Sequence, residues 1–146
     1  MKIIPLDPTF FDQLKSLYDS YDRPNDDWPP KNKCIEILNS IRNQNGEIYI
    51  AVIDKKLVGT YAIYVCHNLT RGARPFGVIE NVICSVEYRR QGIGKKLMIH
   101  AKETAYDKGC YKLFLQTGAQ RLENHSFYSS CGFLPNKTGF EVRFDI

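Results

Sequence analysis

The sequence predicts a single domain of the α/β (α+β) class, with a central mixed but mostly antiparallel sheet flanked by helices. Three observations lead there. Amphipathic stripes at helical spacing alternate with runs of β-branched and aromatic residues along all 146 positions, with glycine, asparagine or proline breaks between them. Two strand-like runs meet at the short turn Asp54-Lys55-Lys56 and read as an antiparallel hairpin. Residues 76–86 are almost continuously apolar, as expected of a central strand buried on both faces. No repeat, low-complexity segment or second domain interrupts residues 1–146, and a chain this long can bury a core without disulfide or metal staples.

Asp7-Pro8 reads as an N-cap and first helical residue, and Phe11, Leu14, Tyr18 and Tyr21 then recur at helical spacing, predicting a first helix over 8–21. Residues 23–32, with three prolines and the sole tryptophan, form a loop in which Trp28 is expected to fill space rather than touch a ligand. Cys34, Ile35, Leu38 and Ile41 mark a second helix closed by Asn45-Gly46. The hairpin strands cover 47–53 and 57–66, and a basic loop over 67–75 leads into the strand at 76–86. Ile93, Leu97, Ala101 and Ala105 form the i, i+4 row of a third helix that stops at Gly109 and leaves His100 facing solvent. Residues 111–117 are the next strand, 124–131 a short helix, and 140–146 a last alternating strand.

Composition narrows the classes. Hydrophobic residues at 43% and charged residues at 25% are ordinary globular values. No apolar run approaches the roughly 20 residues of a spanning helix, and residues 1–8 lack the apolar core of a signal peptide, so no membrane association and a cytoplasmic location are expected. Five cysteines, at 34, 66, 84, 110 and 131, are odd in number and include no Cys-x-x-Cys pair. That argues against a disulfide framework and a zinc site, so reduced core thiols and no metal are expected. The formal charge of +4 suits a nucleic acid, an anionic small molecule or neither, and the placement of the basic residues decides.

Those residues cluster at Arg89-Arg90-Gln91-Gly92-Ile93-Gly94-Lys95-Lys96, between the apolar strand and the third helix. The first N–H groups of a helix have no intrahelical partner and sit at the positive end of its dipole. With cationic side chains beside them and glycines that admit close approach, they suit a phosphate or diphosphate. A Walker A loop would require glycine at Arg89 and serine or threonine at Lys96. A dinucleotide fingerprint would require glycine at Leu97, after the first strand of its fold. Both nucleotide-loop patterns fail.

Arg89-x-x-Gly92-x-Gly94 after an apolar strand resembles the acyl-CoA pyrophosphate loop of the GNAT superfamily of N-acyltransferases. A second segment, Asn124-His125-Ser126-Phe127-Tyr128-Ser129-Ser130-Cys131-Gly132-Phe133, resembles that superfamily's Tyr-x-x-x-Gly-Phe signature, and the order of elements agrees over most of the chain. Ile79-Glu80-Asn81-Val82, Gly109-Cys110-Tyr111-Lys112 and Glu141-Val142-Arg143-Phe144 are most similar to the glucosamine-6-phosphate N-acetyltransferases. The chain departs from them at Gln116, where they carry aspartate, in a longer loop over 117–123, and at Val86, where many superfamily members have proline. The resemblance implies a GNAT-type sheet whose strands four and five splay around acyl-CoA. It implies acetyl-CoA as co-substrate, held by the main chain of Val82, Ile83 and Cys84, by Arg90, Gln91, Gly92, Ile93, Gly94 and Lys95, and by Asn124 and Tyr128. It further implies Tyr128 as general acid, and Glu80 with Asn81 in contact with substrate.

Acetyl transfer from a thioester to an amine requires a neutral amine, a stabilised oxyanion and a proton for the departing thiolate. A thiol and a tyrosine have ordinary pKa values of about 8.5 and about 10, so Tyr128 suits the last task. Glu80 interrupts an apolar strand, where burial would raise its pKa or demand a cationic partner. It can take the substrate's proton through water, bind the substrate ammonium, or form an internal ion pair with Arg71, Arg74 or Arg143. Arg71 and Arg74 suit a substrate phosphate or carboxylate, although a solvated basic loop explains them equally. Asn124 can touch the coenzyme or cap its helix. Cys84 and Cys131 lack a Cys-His-acid arrangement and read as core filler.

The expected function is an N-acetyltransferase acting on the primary amine of a small substrate, with an amino sugar phosphate as first candidate. Another small amine, a protein amine, or a non-enzymatic acyl-CoA-binding module stand as alternatives. No aromatic-rich basic surface is legible, so no nucleic-acid partner is expected. The last alternating strand, together with the resemblance, points to a homodimer.

Overall fold

The computed structural model describes residues 1–21 and 27–145, so the first half of the predicted loop over 23–32, and Ile146, lie outside the described residues. Five strands form one sheet in sequence order. They are β1 (Lys2–Pro5), β2 (Gly46–Ile53), β3 (Lys56–Cys66), β4 (Phe76–Cys84) and β5 (Leu113–Leu115). The first three junctions are antiparallel and β4 to β5 is parallel, which is the mixed, mostly antiparallel sheet expected. The helices are α1 (Phe11–Asp19), α2 (Lys31–Asn43), the single turn α3 (Thr70–Ala73), α4 (Ile93–Asp107) and α5 (Leu122–Ser130).

Local chemistry explains most boundaries. The Asp7 carboxylate accepts the Thr9 N–H at 2.9 Å ahead of a 3-10 turn, Pro8–Phe10, so the predicted first helix is a 3-10 turn leading into α1. Asn45, left-handed at φ 60°, terminates α2. Asp54 and Lys55 are both left-handed, the geometry that lets a two-residue turn follow the twist of β2 and β3. β1 was not legible in the sequence. Lys2-Ile3-Ile4-Pro5 is too short to show a period, and it becomes a strand only by pairing along β2 from Val52 to Tyr49.

Two apolar clusters sandwich the sheet. Val58, Tyr61, Ile63 and Ile79 pack under Ile93, Leu97, Met98, Ala101 and Ala105 of α4. Ile50, Leu57 and Ile83 pack under Leu14 and Leu17 of α1 and Cys34 and Leu38 of α2, with Trp28 and Tyr18 filling beside them at a ring separation of 6.0 Å. β4 therefore serves both faces, through Ile79 on one and Ile83 on the other. It is not buried throughout, because Glu80 is exposed. The alternation is reset by Asn81, a left-handed residue at φ 54° beside the register shift between Thr60 and Ala62 of β3.

Two expectations are corrected. His100 does not face solvent: it is half-buried, its Nδ1 lies 2.7 Å from the Tyr61 hydroxyl, and its ring meets Tyr49 edge-on at 4.8 Å. Burial pushes the Tyr61 phenol up and the His100 imidazole down, so the contact joins a neutral phenol to a neutral ring. The strand predicted over 140–146 is absent from its described residues, and none of residues 131–145 belongs to a strand. Phe140, Val142 and Phe144 alternate as predicted but stand 93%, 75% and 92% exposed. Alternation describes a strand's faces and cannot supply the edge that must hydrogen-bond it. No helix among the described residues is long and apolar enough to cross a membrane.

The His100 pair sets a pH dependence. The folded imidazole titrates below its ordinary 6.5, mainly through burial, with Glu103 acting the other way. Below that value the unfolded chain binds the extra proton first, so stability is full above about pH 6.5 and falls as the pH drops below it. The melting temperature is expected to fall between about pH 7 and about pH 5, and less steeply in His100→Asn. Equal slopes in thermal melts of the two proteins would refute the assignment.

Candidate functional site

The β4–β5 ladder is three residues long, pairing Gly77–Ile79 with Leu113–Leu115. β4 then runs on to Cys84 while bonded to β3 on its other side, through Thr60 with Ile83 and Gly59 with Cys84. The β5-facing main-chain groups after Ile79 thus have no strand opposite them, and exposed backbone donors and acceptors of this kind require a partner. An extended, amide-bearing ligand arm can take the place that β5 vacates. This is the predicted splay of strands four and five.

At the far end of that strip the chain makes a 3-10 turn, Val86–Tyr88, and enters α4 at Gly92. Gly92 is left-handed at φ 80° and no side chain caps the helix. The first intrahelical bond is donated by Lys96 to the Gly92 carbonyl at 3.0 Å, so the N–H groups of Ile93, Gly94 and Lys95 precede any intrahelical acceptor. A Cβ on Gly92 would meet nothing within 4 Å, so the space over the turn is open. Gly94 is small for a different reason, since a Cβ there would lie 3.0 Å from Phe127 and 3.5 Å from the Cys84 sulfur. β4, α4 and α5 converge at that point. Arg89, Arg90, Gln91, Lys95 and Lys96 are exposed around it, so donors, dipole and cations fit a diphosphate.

α5 brings Tyr128 to the same place. Its ring is packed edge-on against Phe127 at 5.1 Å and Phe133 at 6.1 Å. Lys102 of α4 donates to the Cys131 carbonyl at 2.8 Å and fastens the end of α5. No hydrogen bond engages the Tyr128 hydroxyl among the described residues, and no sealed side-chain N or O lacks a partner there, so this hydroxyl is reachable from outside. Burial, with Tyr21, Cys84 and Cys131 nearby, pushes its pKa up to about 12. The near match to a thiol expected from ordinary values is therefore corrected, because a half-buried phenol holds its proton more tightly than a free one.

Asn124 is the third residue of α5 rather than its cap, and its amide donates to Thr117 Oγ1 at 3.2 Å. Glu80 is exposed rather than buried in its strand, and no ion pair reaches it among the described residues. It lies beside Tyr64, whose phenol is raised by burial and then by the Glu80 charge. Arg143 pairs with Asp145 instead. Arg71 and Arg74 stand over the Tyr111 ring at 5.8 Å each, on the left-handed α3 turn before β4. With Lys112 over Phe76 and Phe114 they make a basic and aromatic cluster that no periodicity in the sequence displayed. Arg74 precedes Glu80 by six residues, about 20 Å of extended chain, so the structure does not bring these arginines to Tyr128 or Cys84. All five cysteines are free thiols, with Cys34 and Cys131 buried.

One pairing escaped sequence reading. Arg121 donates to the Tyr21 hydroxyl at 2.9 Å and lies 5.1 Å over its ring. They are 100 positions apart, and the signal for Arg121 was only its place in the long loop over 117–123.

Residues 11–133 match the model of the acetyltransferase (GNAT) family. The chain is 33% identical to the glucosamine 6-phosphate N-acetyltransferase of Trypanosoma brucei brucei over 91 residues, 62% of this chain and 58% of that one. It thus spans little more than half the length of that relative. It is 24% identical to aminoglycoside N(6')-acetyltransferase type 1 of Stenotrophomonas maltophilia over 110 residues, 73% of this chain and 72% of that one. Among solved structures, a putative acetyltransferase from Agrobacterium tumefaciens str. C58 superposes with a TM-score of 0.90 at 34% identity, covering 99% of this chain and all of that one. The vacated strand edge, the uncapped helix that receives it and these likenesses converge on one assignment: the chain belongs to the acetyltransferase (GNAT) family.

Proposed function

We propose that the protein is an N-acetyltransferase that moves the acetyl group of acetyl-CoA directly to the primary amine of an amino sugar or a small amine like it. One observation carries the reading: the vacated edge of β4 runs from Glu80 to the Gly92-capped end of α4 with the Tyr128 hydroxyl open beside it. The diphosphate sits on the N–H groups of Ile93, Gly94 and Lys95, with Arg90 and Gln91 beside it. The pantetheine arm bonds the main chain of Val82, Ile83 and Cys84, and Asn124 borders it. Both curated relatives act, by their names, on amines carried by sugars. Five free thiols suit a reducing compartment such as the cytoplasm.

In the reaction, a β4 N–H stabilises the tetrahedral oxyanion as negative charge builds on it. Glu80 and Asn81 receive the amine from the α1–α2 face, where Glu80 binds the ammonium or relays its proton through water. Tyr128 remains protonated over the physiological range, because its pKa is pushed up to about 12. It therefore donates a hydrogen bond to the departing sulfur as thiolate charge develops, and any proton it passes to the thiolate is replaced by the one the attacking nitrogen loses, so the phenol ends the reaction protonated. No enzyme nucleophile is required.

The exposed row Phe140, Val142 and Phe144, which follows Gly139 packed near Gln116, and a β5 edge that no strand among the described residues covers support a homodimer joined through the C-terminal segment. The double variant Phe140→Ser, Phe144→Ser is expected to run as a monomer in light scattering where the parent runs as a dimer, and identical masses would refute this assembly. Tyr128→Phe is expected to keep coenzyme A affinity in calorimetry and to lose about 100-fold to 10,000-fold in kcat, read by free-thiol release. A wild-type turnover rate in that variant would end the acid role. A protein that binds coenzyme A and acetylates none of a panel of amino sugars and amines would be a binding module instead.

A further inference from the structure

We infer that Lys102 is a positioning residue for the transfer step: by holding the end of α5 against α4 it sets where the Tyr128 hydroxyl stands beside the coenzyme turn, and it touches neither substrate nor coenzyme itself. The inference rests on the proposed N-acetyltransferase reading and deepens it.

α5 has little of its own to hold it in place. None of its nine residues is buried, and no side chain caps its N-terminus. Among the described residues, three of its side-chain hydrogen bonds stay within its own stretch of chain, from Asn124 to Thr117, between His125 and Gly118, and from Ser130 to Phe127. Bonds of that kind shape the helix and the loop before it, but they do not join it to another element.

Two contacts with α4 do so, one on each side of Tyr128 in the chain. Phe127 packs where a Cβ on Gly94 would stand, 3.0 Å away, and Lys102 donates to the Cys131 carbonyl at 2.8 Å. Phe127, Tyr128 and Phe133 also pack against the apolar cluster that α4 covers. Apolar packing is non-directional, so it holds α5 down without fixing its register along α4. A hydrogen bond has a preferred length and angle, and Lys102 supplies the register that packing leaves open.

The grip falls on the turn that closes behind Tyr128. The last carbonyls of a helix have no intrahelical partner and sit at the negative end of its dipole, so a lysine is the suitable donor there. Gly132 is left-handed at φ 90°, and a Cβ on it would lie 3.6 Å from the Lys102 ammonium. The same turn brings the Phe133 N–H to the Tyr128 carbonyl at 3.1 Å. Lys102 therefore holds the peptide that is folded onto the backbone of Tyr128. It stands eight residues after Gly94, about 12 Å along α4 from the coenzyme turn, and so acts from outside the site.

The test places Lys102→Met, which keeps the stem and removes the donor, and Lys102→Arg, which keeps a donor, in the wild-type protein and in Tyr128→Phe. Because a misplacement on the order of 1 Å at a reacting group costs up to about 100-fold, Lys102→Met is expected to lower kcat about 10-fold. Coenzyme A affinity in calorimetry is expected to stay unchanged, and Lys102→Arg to recover most of the rate. In the Tyr128→Phe background Lys102→Met is expected to lower kcat no further, since no hydroxyl remains to be placed. An unchanged kcat in Lys102→Met overturns the inference. A fall by the same factor in both backgrounds also overturns it, because a general structural loss does not depend on the hydroxyl. If the wild type acetylates none of the amines, the N-acetyltransferase reading fails, and fluorine NMR of the coenzyme A complex, with 3-fluorotyrosine in place of Tyr128, decides the hold of Lys102 separately. A resonance that moves in Lys102→Met and returns in Lys102→Arg sustains that hold, and an unmoved resonance overturns it.

Discussion

The parallel ladder between β4 and β5 stops after Ile79 and Leu115, and the site depends on that stop. Further pairing along Glu80 to Cys84 would satisfy the β4 edge internally and leave a sealed sheet. Because β3 holds β4 on its other side as far as Cys84, the strand stays straight enough to present its edge and does not fray. The unmet backbone groups then serve as a template for an extended ligand. Tyr21 and Tyr128, which pack on different clusters, lie near enough for Tyr21 to raise the Tyr128 pKa.

Asn81 decides how β4 divides its side chains. With regular alternation, residues 79, 81 and 83 would share one face. The left-handed Asn81 breaks that order, so Ile79, Val82 and Cys84 serve the α4 cluster while Ile83 serves the α1–α2 cluster. Glu80 is thereby placed on the α1–α2 face, opposite the coenzyme turn's helix, and stays exposed. A buried carboxylate there would have needed a cation. The exposed one is solvated and needs none.

Gly92 and Gly94 act through different physics within one turn. Gly92 supplies a left-handed entry into α4 with open space above it, and Gly94 supplies contact between α4 and Phe127 of α5. The Gly92 turn and α5 are thus mechanically one unit, reinforced by Lys102 on the Cys131 carbonyl. Burial of Tyr128 follows from this close packing, and so does its raised pKa.

Much of this was legible in the chain itself. Helical rows such as Ile93, Leu97, Ala101 and Ala105, the hairpin at Asp54-Lys55, and the turn Arg89 to Lys96 are written in spacing and in residues with local conformational demands, so the sequence by itself determined these elements. Tertiary structure decided the rest. Whether Phe140 to Phe144 forms a strand depends on an edge that another segment must offer, and whether His100 meets water depends on Tyr49 and Tyr61 from another part of the chain. Glu80 looked buried because its neighbours are apolar, yet its exposure was decided by what packs above it. The meeting of Arg121 with Tyr21 spans 100 residues and follows no period. Spacing reports which residues share a face of one element, whereas these outcomes depend on which elements face each other, and that is set only when the sheet and its helices pack.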